Sequence, residues 1–132
     1  MKIIADTNVL LRFVLGDDPE QYKLAIDTME KSEAVAVTNH ALCEMALVLR
    51  SRYGVSRPAI AATIRALLET RNVVLDSSTV NAGLTMLEAG ADFADGVVDY
   101  EGRWLGGETF VSFDRKAVAA VEAQGKRAKL LG

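Results

Sequence analysis

The sequence predicts an α/β fold in which a central parallel sheet of about five short strands is flanked by helices on both faces. Three observations predict it: short apolar runs recur along the chain, helical patterns separate them, and start and stop signals bound most of the helices. The chain has 132 residues and shows no repeat or linker. We therefore expect a single, doubly wound domain that spans residues 1–132.

The five predicted strands cover residues 2–5, 34–37, 72–75, 109–113 and 128–131. Such short apolar runs, bounded by polar residues and turn formers, are typical of strands buried in a parallel sheet. In a doubly wound sheet, ligand sites lie outside the carboxyl ends of the strands, near the point where the strand order reverses. The residues at those ends are therefore the first candidates for function.

Seven helices are predicted between the strands, and capping residues mark their starts. The second helix has a strong start signal, because Asp18 is followed by Pro19 at the first helical position. Thr38 or Asn39 can cap the third helix. The first two predicted helices cover 8–15 and 19 to about 31, and the third ends at 52. Residues 56–58 open the fourth helix, and residues 76–78 cap the fifth, which runs to 90. The last two cover 92 to before 106 and 116–124.

Composition excludes several kinds of site. The single cysteine and single histidine, Cys43 and His40, leave no intrachain disulfide, no cysteine-based zinc site and no multi-histidine metal site. The net charge of −3 gives no general attraction to nucleic acid. Asp6 interrupts the first apolar run too early for a signal peptide, and no apolar stretch has membrane-spanning length. We expect a soluble cytoplasmic protein without membrane contact.

Two predicted strands run directly into an aspartate: Asp6 follows the first strand and Asp114 the fourth. Aspartate is a favoured N-cap, so capping of the next helix explains Asp114 about as well as a functional role does. Capping explains Asp6 less well, because Asn8 can cap the same helix. Both carboxylates are expected at one edge of the sheet.

Glu44 is predicted to lie on an apolar face of the third helix. Its neighbours three and four positions away are Ala41, Leu47 and Val48. A carboxylate in such surroundings is costly unless it is paired or bound to a cation. A salt bridge to a neighbouring helix is the structural alternative.

The segment GADFADG places Asp92 and Asp95 at the start of the sixth helix. This spacing fits a capping box, with Asp92 as the N-cap and Asp95 reaching back to it. Asp99 lies one turn further along, where it would repel Asp95 unless a cation is close by.

Four carboxylates from four elements, without a set of histidines or cysteines, suggest a site for Mg²⁺, for which Mn²⁺ can substitute. Such a cation activates water and stabilises charge on a phosphate, so no separate general base is needed. Three basic residues near these acids are candidates for contact with a phosphate backbone. They are Arg103, Arg115 and Lys116.

The chain resembles PIN-domain ribonucleases over essentially its whole length, and among them the VapC toxins of bacterial toxin–antitoxin pairs. The resemblance rests on ADTNVLLRFVLGDDPEQ, ALCEMALVLR, GADFADGVV and ETFVSFDRKA, and on intervals between the acids that suit the family. One departure is visible in GVVDYEGRWLGG, where many relatives carry an alanine-rich stretch.

The resemblance implies an acidic catalytic pocket made of four carboxylates, those of Asp6, Glu44, Asp95 and Asp114. Two of these acids, Asp6 and Asp95, are the implied direct ligands of Mg²⁺. The implied supporting residues are Asp92, a secondary acid, and Thr7, Asn8 and Ser112, which orient carboxylates or water.

The resemblance also implies activity and partners. Members of the family cleave RNA endonucleolytically, are commonly dimers, and are silenced by a VapB antitoxin that covers the pocket. We therefore expect a Mg²⁺-dependent endoribonuclease toxin that cleaves structured RNA, such as tRNA or rRNA.

The same residues admit three other interpretations. The chain could be a PIN-type nuclease of RNA processing rather than a toxin, or a catalytically silent α/β interaction module whose acids only cap helices. An aspartyl-phosphate phosphatase is disfavoured, because Asn8 stands where that chemistry needs a second acid. Stabilisation by a divalent cation distinguishes a metal site from the interaction module.

Overall fold

The structure is a computed structural model that describes residues Met1–Gly132. Helices and strands follow one another in the predicted order. The chain forms two compact units, Met1–Asp76 and Ser77–Gly132. None of the helices combines the length and the apolar character that a transmembrane span requires.

The first unit contains three strands and four helices. They are β1 (Lys2–Ile4), α1 (Thr7–Leu15), α2 (Pro19–Lys31), β2 (Ala34–Ala36), α3 (Asn39–Ser51), α4 (Arg57–Glu69) and β3 (Val73–Val74). The strands form a parallel sheet in the order β1-β2-β3, in which Val35 pairs with Ile3 on one side and Val73 on the other. Helix α1 packs against α2 and α3, and α3 packs against α4.

Short polar side chains set the helix starts in this unit, as predicted. The side chain of Asp18 accepts a hydrogen bond at 3.1 Å from the backbone N–H three residues on, and Pro19 is the first residue of α2. Thr38 rather than Asn39 caps α3, and Ser56 caps α4. Each cap satisfies a backbone N–H that has no partner within its helix.

The core of the first unit comes from the inward faces of its helices and from β2. These side chains are almost completely removed from solvent, which is the main stabilising contribution to such a unit. The largest are Leu10, Val35, Leu42, Met45, Leu49, Ile60, Ile64 and Leu67.

The second unit contains three helices and two strands. They are α5 (Ser77–Glu88), α6 (Phe93–Trp104), β4 (Phe110–Ser112), α7 (Arg115–Ala123) and β5 (Ala128–Leu130). The strands pair in parallel, with Val111 opposite Lys129. Helix α7 packs against both strands, and Ala117 and Val121 on its buried face join Met86 of α5 in one cluster.

Helices α5 and α6 cross at very close range, because two glycines face the contact. A Cβ atom on Gly96 would lie 2.6 Å from the Cα atom of Gly83, and a Cβ atom on Gly83 would lie 2.5 Å from the ring of Phe93. Neither position has room for a side chain. The close packing fixes the start of α6, where two of the candidate acids lie.

The predicted single sheet of about five strands is wrong. The structure has two parallel sheets, of three and two strands. Within each sheet, neighbouring strands follow chain order, so neither contains the reversal that defines a doubly wound sheet. The reason is physical: an apolar run identifies a buried strand, but its partner is chosen by contacts between residues far apart in the sequence.

Candidate functional site

Asp6 lies directly after β1 and is the N-cap of α1. Its Oδ1 atom accepts a hydrogen bond from the backbone N–H of Val9 at 3.0 Å. The expectation that Asn8 competes for this role is wrong, because α1 begins at Thr7 and Asn8 already lies inside the helix. The cap uses one carboxylate oxygen, and Oδ2 takes no part in it.

Asp6 and Asn8 line a groove of about 320 Å³ whose other walls come from α1 and α2. Leu24 contributes apolar surface to this groove, and Arg12 lines it while pairing with Asp17 at 2.6 Å. The structure therefore brings together two of the predicted site residues of the first unit at a concave surface.

The predicted burial of Glu44 is wrong. Its side chain is 50% exposed, and it pairs with the exposed His40 at 2.6 Å, one turn earlier on the same helix. Leu47, one of the neighbours that defined the apolar face, is itself 62% exposed. The buried stripe of α3 consists of Ala41, Leu42, Met45, Ala46 and Leu49. Because Glu44 is solvated and paired within its helix, burial does not argue for a bound cation there.

The predicted capping box at the start of α6 is confirmed. Asp92 is the N-cap, and Oδ2 of Asp95 accepts a hydrogen bond from the backbone N–H of Asp92 at 3.3 Å. Asp95 is half-buried, whereas Asp92 is exposed. The Oδ1 atom of Asp95 takes no part in this bond.

Asp114 is the N-cap of α7. Its Oδ1 atom accepts hydrogen bonds from the backbone N–H groups of Lys116 and Ala117 at 2.9 and 3.3 Å. The hydroxyl oxygen of Ser112 accepts from the backbone N–H of Asp114 at 3.0 Å. Ser112 therefore holds the backbone that carries this acid.

Three of the candidate acids act on one another electrostatically. Burial raises the pKa of the Asp95 carboxyl, and the negative charges of Asp92 and Asp114 raise that pKa further, whereas the hydrogen bond from the Asp92 backbone opposes the rise. The N-terminal starts of α6 and α7 thus place the half-buried carboxylate of Asp95 in the electric field of Asp92 and Asp114. A cation bound beside Asp95 would offset the cost of burying its negative charge and the repulsion from the other two carboxylates.

The donor set around Asp95 fits Mg²⁺ chemically. All three acids offer oxygen ligands, which Mg²⁺ and Mn²⁺ prefer. No group of three or more histidine, cysteine, aspartate or glutamate side chains in the structure is arranged to hold a metal ion. Mg²⁺ does not need one, because it usually keeps several waters and binds through one or two carboxylates.

Two cations lie beside Asp99, which meets the expectation that this acid needs a nearby positive charge. Its carboxylate is 6% exposed and lies 3.0 Å from Nε of Arg103 and 3.5 Å from Nζ of Lys126. The two cations compensate a buried negative charge. Asp99 is therefore part of the internal structure of the second unit.

Sequence reasoning missed the structural role of Arg103. Besides Asp99, its guanidinium donates to the backbone carbonyls of Glu108 at 2.8 Å and Arg127 at 3.1 Å. These bonds tie α6 to the segment before β4 and to the residue before β5. The spacing of four residues between Asp99 and Arg103 is the sequence signal that indicates their ion pair. An RNA contact by Arg103 would compete with these bonds, whereas Arg115 and Lys116 are exposed at the start of α7.

No family model matches the chain, and no curated protein matches it significantly.

Proposed function

We propose that the protein is a Mg²⁺-dependent endoribonuclease of the PIN type, the toxin of a VapBC-type toxin–antitoxin system, which acts in the cytoplasm on structured RNA such as tRNA or rRNA. The observation that carries the proposal is the group of acids in the second unit, where Asp92 and Asp114 act on the half-buried Asp95. Burial of an ionisable group next to like charges is more frequent at functional sites than elsewhere.

The capping roles of these acids are compatible with cation binding. The cap of α7 uses only Oδ1 of Asp114, and the capping box of α6 uses only Oδ2 of Asp95. The cap of α1 likewise uses only Oδ1 of Asp6. A carboxylate held by a cap has its rotamer fixed before a ligand arrives, which lowers the entropic cost of binding.

Asp95 would hold the cation, and Asp92 and Asp114 would add negative charge around it. When bound, Mg²⁺ supplies Lewis-acid activation of water and stabilises negative charge on the phosphate. The residues of the chain keep the acids in place: the capping box orients Asp95, and Ser112 fixes the backbone of Asp114. Arg115 and Lys116 follow Asp114 directly and are suited to contact substrate phosphates.

Asp6 and Glu44 enter the proposal as catalytic acids through the resemblance alone. Asp6→Asn tests the first without loss of the cap, since asparagine and aspartate cap helices about equally well. Glu44→Gln tests the second while the hydrogen-bond acceptor for His40 is kept. Both variants are expected to lose cleavage and to keep the fold.

The proposal includes two protein partners, a VapB-type antitoxin and a second copy of the chain. Large hydrophobic side chains are available for such contacts in the first unit, where Leu24 is 64% and Leu47 is 62% exposed. Light scattering of the purified protein tests the dimer, and co-purification with the product of a neighbouring small gene tests the antitoxin.

A catalytically silent interaction module is the second candidate, and one observation favours it. Asp6, Asp92, Asp95 and Asp114 all take part in helix capping, which accounts for their positions without any ligand. This candidate predicts neither RNA cleavage nor stabilisation by divalent cations.

The experiment that tests the proposal is the incubation of antitoxin-free protein with total cellular RNA. Discrete fragments that appear with Mg²⁺ or Mn²⁺ and vanish with EDTA support a metal-dependent endoribonuclease, and their sizes identify the class of target RNA. A folded preparation that leaves all RNA intact at every metal concentration favours the interaction module.

A further inference from the structure

Phe113 is a large aromatic side chain that the second unit leaves in solvent. It is 79% exposed and lies between β4 and α7, directly before Asp114. A ring in this position contributes almost nothing to the core of the unit. Its exposed faces are available to a planar or apolar partner.

The backbone that carries Phe113 is anchored on both sides. Before it, the carbonyl of Ser112 accepts a hydrogen bond from the backbone N–H of Leu131 at 2.9 Å. After it, the backbone N–H of Asp114 donates to the Ser112 hydroxyl oxygen at 3.0 Å, and Asp114 caps α7. The ring therefore projects from a fixed main chain, so little backbone entropy is lost when it contacts a ligand.

The charges around Phe113 fit a single-stranded nucleic acid. Asp114, the next residue, belongs to the proposed cation site, and the exposed cations Arg115 and Lys116 follow. Proteins that bind single-stranded nucleic acid combine aromatic side chains, on which bases stack, with basic residues that contact the backbone. In an intact duplex the bases are stacked on one another and are not accessible to such a ring.

We propose that Phe113 is the base-stacking residue of the protein: it binds an unpaired RNA nucleotide and thereby places the adjoining phosphate beside Asp95 and Asp114. This inference rests on the proposed function and adds to it the residue that binds the unpaired nucleotide beside the cleaved bond. The nucleotide next to the cleaved bond must be unpaired, so cleavage falls in loops or single-stranded segments and spares stems.

Trp104 provides a matched control within the same unit. It is 78% exposed, nearly the same as Phe113, but it is the last residue of α6, whereas Asp95 lies in the first turn. A rise of about 1.5 Å per residue separates the two positions by roughly 14 Å along the helix. Its ring is thus remote from the proposed cation site.

The experiment compares wild type, Phe113→Leu, Phe113→Tyr and Trp104→Leu. Binding is measured in EDTA with a stem-loop RNA whose loop contains one fluorescent 2-aminopurine, and the emission of this base changes when it leaves the stack of its neighbours for an aromatic side chain. Cleavage of the unlabelled RNA is measured separately with Mg²⁺. A third RNA carries an abasic site at the nucleotide next to the cut.

Phe113→Leu is expected to weaken binding about tenfold, within the range measured for the loss of one stacked base, and to abolish the change in emission. Phe113→Tyr is expected to keep the binding affinity and the change in emission, and Trp104→Leu is expected to behave as wild type. On the abasic RNA, wild type and Phe113→Leu are expected to bind and cleave equally, since the stacking partner is absent.

The outcomes separate the two proposals. If wild type cleaves with Mg²⁺ and Phe113→Leu binds and cleaves as well as wild type, the stacking role is overturned and the nuclease stands. If wild type neither cleaves nor binds RNA, both are overturned. Equal losses for Phe113→Leu and Trp104→Leu would show a general effect of exposed aromatic surface, which also overturns the assignment to Phe113.

Discussion

The backbone N–H of Asp92 donates a hydrogen bond to Oδ2 of Asp95 at 3.3 Å, and this bond holds the carboxylate on which the proposed cation site depends. Asp95 caps α6, and under the proposed function it would also bind a cation. The roles can be separated experimentally, because asparagine keeps a side-chain acceptor but carries no charge.

Asp95→Asn is expected to stabilise the protein at neutral pH in the absence of metal. Burial and the charges of Asp92 and Asp114 raise the pKa of this carboxyl above 3.8, so the folded state binds the proton more tightly than the unfolded state does. Ionised Asp95 therefore costs stability at pH values above its folded pKa, and this cost shrinks as the pH falls through that pKa and vanishes below 3.8. Thermal unfolding of both proteins in EDTA measures the difference.

The advantage of Asp95→Asn should be largest near pH 7 and should shrink as the pH falls. Asp18→Asn is the control, because Asp18 caps α2 through the same kind of bond but lies outside the predicted site. A variant that is less stable than wild type at pH 7, by an amount independent of pH, would show that capping rather than repulsion dominates at Asp95.

Mg²⁺ or Mn²⁺ is expected to raise the melting temperature of wild type. At a free concentration ten times the Kd, one bound cation stabilises the folded state by about 1.4 kcal/mol. Asp95→Asn should lose this gain and Asp18→Asn should keep it. Thermal scans at increasing metal concentration measure the effect, and equal gains in all three proteins would indicate binding elsewhere.

Substitution of Asp114 separates its cap from its charge. Asp114→Ala removes the acceptor for the N–H groups of Lys116 and Ala117, which costs about 1 kcal/mol of stability, whereas Asp114→Asn keeps the cap to within a few tenths of a kcal/mol. Both variants are expected to lose RNA cleavage. If Asp114→Asn cleaves RNA as wild type does, the carboxylate serves only as a cap.

The sequence predicts the local features of the fold well, because the signals for them are local. Asp18 with Pro19 marks the start of α2, and the capping box of Asp92 and Asp95 marks the start of α6, where the structure has them. A cap depends on residues within one turn, so a single sequence contains all that is needed to predict it.

The remaining features depend on contacts between distant residues. Strand pairing is one, and the exposure of Glu44 is another, since apolar neighbours at helical spacing do not establish that their face is buried. The hydrogen bonds of Arg103 are a third. Its spacing from Asp99 is visible in the sequence, but only the folded chain brings the carbonyls of Glu108 and Arg127 within hydrogen-bond distance of it.

Arg103→Met is expected to destabilise the protein by about 3 kcal/mol, because it leaves the buried carboxylate of Asp99 with Lys126 as its one remaining cation. Arg115→Met removes a charge from an exposed position and should change stability by less than about 0.5 kcal/mol. Urea unfolding of the two variants measures the difference. Equal stabilities would show that the Arg103 bonds contribute little.

RNA cleavage by Asp95→Asn, measured beside wild type and Asp18→Asn, tests the central claim most directly. Each substitution replaces a capping aspartate by asparagine, so loss of charge is matched between them. We predict that wild type and Asp18→Asn produce the same discrete fragments with Mg²⁺ and none with EDTA, and that folded Asp95→Asn produces none. Full cleavage by Asp95→Asn, or fragments that persist in EDTA, would contradict the account.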